Sequence, residues 1–136
     1  MNVSTPEATS DKKNEQRVFY IRNQHRQPLA CVAPKRSEDG KSVKFALSIC
    51  NPKDTFLRPT ARVKAIARLQ AKNPQDLRFV QEVELAENEP PKLQILSAIT
   101  HMDSVPQRVR RAAFYEYDSL QLDIQLKALS AQEEEQ

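Results

Sequence analysis

The sequence predicts an α+β fold: a three-stranded antiparallel meander packed by a basic helix, with a C-terminal helical layer and one further strand near the end. Three observations carry this prediction. Short β-branched and aromatic runs between residues 17 and 50 are separated by polar breaks. Residues 58 to 72, RPTARVKAIARLQAK, hold five cations and no acid at helical spacing. Near the end, Leu120, Leu122, Ile124 and Leu126 alternate with Gln121, Asp123 and Gln125, the period of a half-buried strand.

The first strand is RVFYIRN, residues 17 to 23, closed by the polar break QHRQP. LACVAPK is the second, and RSEDGKS turns the chain, with Asp39 and Gly40 suited to the two central positions of a type I′ hairpin. VKFALSICN is the third, with Val43, Phe45, Leu47 and Ile49 on one face. A hairpin centred on Asp39 and Gly40 sets the register: Ala33 opposite Ala46, Cys31 opposite Ser48, and Leu29 opposite Cys50. Phe19 and Ile21, the more apolar alternate pair of the first strand, join the Phe45 face. Tyr20, Arg22 and Lys44 then fall on the other.

NPKDT leads into the basic helix, with Asp54 or Thr55 suited to the N-cap and Pro59 to the first turn. About 100° per residue places Arg58, Arg62, Lys64, Arg68 and Lys72 within roughly 160°, and Val63, Ile66 and Ala67 on the opposite side, which reads as the dry one. The helix ends near Asn73 and Pro74. LRFVQEVEL, residues 77 to 85, fits a strand or a short helix. ENEPP is a break, KLQILSAITHM a helix, and QRVRRAAFYEY another, capped by Asp103 or Ser104 with Pro106 in its first turn. For residues 119 to 129 strict alternation favours a strand; as a helix the segment would be apolar on two faces, Leu120 with Ile124 and Leu122 with Leu126 and Leu129, and would need two partners.

A chain of 136 residues suits one domain, here residues 17 to 129, between a polar N-terminal tail of residues 1 to 16 and an acidic one of residues 130 to 136, both expected to be disordered. No apolar run approaches the roughly 18 residues of a membrane span, and the start lacks the apolar core of a signal peptide, so a cytoplasmic protein with no membrane partner is expected. Cys31 and Cys50 read as reduced, buried thiols.

One glycine cannot build a phosphate-cradling loop, which argues against P-loop and dinucleotide sites. His25, Cys31, Cys50 and His101 are too scattered for a zinc site, no nucleophile has an enforced base, and the i, i+2 acids Glu82/Glu84 and Glu116/Asp118 read as solvated positions. The expectation is a protein without enzymatic activity, metal or cofactor.

The net charge of +3 permits a polyanionic partner without demanding one. Cations group at Arg22, His25 and Arg26, at Lys35, Arg36, Lys41 and Lys44, along the Arg58 to Lys72 helix, and at Arg108, Arg110 and Arg111. The absence of acids from the helix distinguishes it from a face built only for solubility, which mixes both signs. Arg22, Arg26, Lys44, Arg58, Arg62, Lys64, Arg68 and Lys72 are the candidate nucleic-acid contacts, made to backbone charge of DNA or RNA with little base specificity. The strand-strand-strand-helix order is similar to that part of double-stranded RNA-binding domains and of sheet-type DNA readers; the preceding helix and the lysine pair of the former are absent, and no residue roles are carried over. The expected function is thus a small accessory protein, of a size that suits a microbial, phage or plasmid factor. The alternative is a protein-interaction module, an inhibitor or oligomeric subunit, docking on an acidic partner or on a second copy through the alternating C-terminal segment.

Overall fold

β1 (Phe19–Arg22), β2 (Pro28–Arg36), β3 (Ser42–Ile49) and β4 (Val80–Glu84) form one antiparallel sheet in the order β1-β2-β3-β4. The structure is a computed structural model and describes residues 17–135; the expected N-terminal tail lies outside the described residues. Among the described residues four helices accompany the sheet: α1 (Arg58–Arg68), α2 (Pro74–Leu77), α3 (Pro91–Thr100) and α4 (Gln107–Glu135).

The sheet corrects the expected three-stranded meander. The fourth strand comes from residues 77 to 85, the stretch whose pattern suited either state. It pairs Val83 with Val43, Glu82 with Lys44 and Val80 with Ala46. Only Val80 and Val83 of its five residues are apolar, so its own sequence specifies a strand weakly; the free edge of β3 supplies the backbone partners that decide it. Its exposed Gln81, Glu82 and Glu84 leave a charged outer edge that resists pairing with other chains.

The β2–β3 register is the expected one, with Ala33 opposite Ala46 and Cys31 opposite Ser48. The turn differs. Gly40 N–H donates to the Ser37 carbonyl at 3.0 Å, and within this turn Gly40 alone adopts positive φ, at 73°. This is a four-residue loop closed by Ser37 and Ser42, not a two-residue type I′ turn, yet it preserves the same pairing sum. Asp39 stabilises it by accepting from Ser37 Oγ at 2.6 Å and Lys41 N–H at 3.0 Å.

The two faces of the sheet are built from residues of different size. Phe19, Ile21, Val32, Phe45 and Leu47 form the larger core with Ile95, Leu96 and Ile99 of α3 and Val109, Ala112 and Ala113 of α4. On the opposite face, Cys31, Ala33 and Ala46 meet Ala61, Ala65 and Leu69 from α1 and the residue after it. Small side chains on both sides let α1 lie close against the strands.

α4 is a second correction. Residues 119 to 129, expected as a strand, continue a helix of 29 residues, and so do residues 130 to 135, expected as a disordered tail. Between Leu120 and Gln132 the residues are Leu, Gln, Lys, Ala, Ser, Asp and one Ile, mostly good helix formers without Gly or Pro. The first half of α4 packs on α3 and β1, which nucleates the helix, and local propensity carries it onward.

Candidate nucleic-acid interface

The face of α1 that sequence spacing marks as cationic is the face that packs on the sheet. Ala61, Ala65 and Leu69 fall in the middle of the roughly 160° arc bounded by the cations, and they are 8, 0 and 6 % exposed. Val63, expected on the dry side, is 66 % exposed, and Ala67 is exposed too; Ile66 alone of that set packs against the core. Hydropathy ranks Val above Ala, but a Val cannot approach a surface of Cys31, Ala33 and Ala46 as closely as an Ala. The cations therefore flank the buried stripe, with Arg62 and Arg68 partly buried at its margins and Arg58, Lys64 and Lys72 exposed.

This placement divides the candidate residues between the two sides of α1. Towards β4, Arg68 is committed to the fold: Nε donates to Asp76 Oδ1 at 3.0 Å, Nη1 donates to the Leu47 carbonyl at 2.6 Å, and the guanidinium stacks 4.7 Å from the Phe79 ring centre. The Asn73 amide and the Arg68 guanidinium together hold the Asp76 carboxyl below the usual carboxylate range. Lys44 stands in a cross-strand row between Lys35 and Glu82, with an acid as its register partner on the adjacent strand. Lys64 and Lys72 are exposed and belong to no cluster with these.

Towards β1 the cations converge. Tyr20, half-buried, packs edge-on to Phe56 with ring centres 5.9 Å apart. Arg22 lies 5.9 Å from the Tyr20 ring centre and Arg58 lies 5.5 Å from it, one from the strand and one from the first turn of α1. Arg62 sits partly buried on α1, where its charge acts on Cys31 against the burial that pushes that thiol up to about 11. The β1–β2 turn adds Arg26, held at φ 65°, a left-handed conformation uncommon for a side-chain-bearing residue. Three side-chain hydrogen bonds stabilise it: Arg22 Nη1 donates to the Arg26 carbonyl at 3.1 Å, and Asn23 Oδ1 accepts the N–H groups of His25 and Gln27.

An open groove runs from this turn to α4, lined among others by Tyr20, Arg22, Arg26, Lys92, Tyr115 and Glu116. Lys92, which spacing did not single out, stands 4.9 Å from the Phe19 ring centre on the other side of β1. Glu116 accepts the Arg22 backbone N–H at 2.7 Å, tying α4 to the sheet edge. Burial pushes its carboxyl above the usual range, against the pull of that N–H and of Lys92 and Arg22. The signal for Lys92 and Tyr115 exists only in three dimensions, since both lie far from β1 in the chain.

No protein-family model, curated protein or solved structure matches this chain. The site therefore rests on its own geometry. Arg22, Arg26 and Arg58 of the expected contacts are brought together, Lys92 is added, and Lys44, Arg68 and Lys72 lie elsewhere. The fourth cationic group is partly used within the fold: Arg108 donates to the Cys50 carbonyl and Arg110 approaches Asp103 at 4.0 Å. Among the described residues no cluster of histidine, cysteine and acids could hold a metal, and no helix is long and apolar enough to cross a membrane.

Proposed function

We propose that this chain is a small accessory protein without enzymatic activity that binds nucleic acid mainly through backbone charge, along the β1 edge. The observation that supports this reading is the convergence of Arg22 and Arg58 on Tyr20, with Arg26 at the adjoining turn and Lys92 across the strand. Cations beside partly exposed aromatic rings can follow a phosphate backbone while a base rests on the open part of a ring, a combination that tolerates sequence variation. Glu116 and Asp123 form the far wall of the groove and confine the polyanion to the β1 side.

The test is fluorescence anisotropy with labelled single-stranded and duplex oligonucleotides of unrelated sequence, at low and moderate salt. Log affinity falls linearly with log salt, by about 0.7 per phosphate contact on single strands and about 0.9 on B-DNA. Arg22→Gln with Arg58→Gln makes the slope shallower by about one to two contacts on every sequence, whereas Lys64→Gln leaves it near the wild-type value. Wild-type protein that binds no oligonucleotide at low salt refutes the reading. Equal losses from Lys64→Gln and from the paired substitution would place the contact on the outer side of α1 instead.

A further inference from the structure

The second half of α4 leaves the body of the protein with an apolar stripe that no described residue covers. Val109, Ala113 and Leu120 turn towards the core, whereas Leu122 through Gln132 is exposed throughout. Tyr115, Leu122, Leu126 and Leu129 recur at spacings of seven, four and three, on one line of the helix roughly opposite the core. They are 52, 56, 53 and 56 % exposed, and Phe114 beside them is 55 % exposed. A helical arm of this length is marginal in water unless its apolar line is packed.

We propose that this stripe pairs with the same stripe of a second copy, with the two α4 helices antiparallel about a two-fold axis near Leu122. Charge selects both the occupant and the direction. Arg108, Arg110 and Arg111 stand in the first turns of α4, and the sequence ends the helix with EEE at residues 133 to 135. That order is the reverse of what the helix dipole favours, which is acids at the start and cations at the end. Antiparallel pairing sets each basic start beside the acidic end of the other copy, and a parallel pair would stack like charges. The apolar groups match in the same register: with Leu122 facing its own copy, Tyr115 of one helix stands level with Leu129 of the other, and Leu126 falls between Tyr115 and Leu122 of the other. The overlap from residue 111 to residue 133 is about 34 Å long at 1.5 Å per residue, and the arrangement is closed and self-complementary, as a two-fold dimer requires. This inference is independent of the nucleic-acid reading.

Sedimentation velocity of the full chain across a wide concentration range tests it. The wild-type protein sediments as twice 15.6 kDa, and the dimer weakens as salt rises. Leu122→Glu with Leu129→Glu raises the dimer dissociation constant more than about a hundredfold; both side chains are exposed in the monomer, so an unchanged melting curve of the dilute protein shows that the fold survives. Direction is read by cysteine cross-linking in a Cys50→Ser background. Leu122→Cys forms an intermolecular disulfide on mild oxidation, and Leu129→Cys does not. A chain that stays monomeric at every concentration, a dimer indifferent to the two glutamates, or efficient cross-linking at both positions overturns the proposal.

Discussion

Replacing Ala65 by Leu tests which face of α1 meets the sheet. Ala65 is fully buried and packs in the cluster of Cys31, Ala33, Ala46, Ala61 and Leu69. Three added carbons have no cavity to enter between a helix and strands that approach through small side chains. The helix must lift or the neighbours must leave their rotamers, at about 1–3 kcal/mol. For a domain of this size that lowers Tm by roughly 3–6 °C per kcal/mol. Val63→Lys is the paired control: at 66 % exposure it gives up little burial, and its effect stays within about 0.5 kcal/mol. Urea denaturation followed by far-UV circular dichroism measures both, with the midpoint shifting at constant slope. A stable Ala65→Leu together with a strongly destabilised Val63→Lys would refute the packing described here and restore the face chosen by hydropathy.

Three further outcomes are expected. Arg68→Gln removes the Asp76 pair and the charge-assisted bond to the Leu47 carbonyl, and loss of that part-buried bond costs about 1–3 kcal/mol in chemical denaturation; because the Asp76 carboxyl is depressed in the fold, the wild-type advantage is greatest above the usual carboxylate range and shrinks as pH falls through the depressed value, so a pH-independent difference would contradict the pairing. Glu116→Gln keeps an acceptor for the Arg22 N–H and removes a charge that burial disfavours. Since that carboxyl is raised in the fold, its favourable contribution is complete below the ordinary range and lost as pH rises through the raised value, so the Gln variant equals or exceeds wild-type Tm at neutral pH, and a clear loss there would refute the account. Finally, Cys31, fully buried with its thiol pushed up to about 11, resists iodoacetamide at pH 8 until the protein unfolds, whereas half-buried Cys50 reacts in the native state; mass spectrometry of the alkylated chain would detect the reverse order.

What sequence determined by itself was local. The first three strands, the register of β2 on β3, the membership of Phe19 and Ile21 in the Phe45 face, the helix at Pro91–Thr100 and the start of the helix at Gln107 all follow from periodicity and turn residues within short windows. The presence of α1 was legible from its helical spacing. Its orientation was not, because hydropathy counts an alanine as a weak core residue, and only a facing surface of Cys31, Ala33 and Ala46 makes three small residues the tightest packing available. The same limit hid β4, whose two valines become a strand only against the open edge of β3.

The candidate interface divides along the same line. Arg22, Arg26 and Arg58 were visible as cations, but their convergence on Tyr20, the addition of Lys92, and the removal of Arg68 to Asp76 and Leu47 are consequences of which elements the sheet brings together. In α4 the two apolar lines were readable under a helical period, while the strict alternation of Leu120 to Leu126 argued for a strand. Tertiary structure decided between them, since a helix already begun at Gln107 and packed through Val109 and Ala113 extends at the low cost of adding residues, whereas a strand there would have needed a break in that helix and a new set of backbone partners.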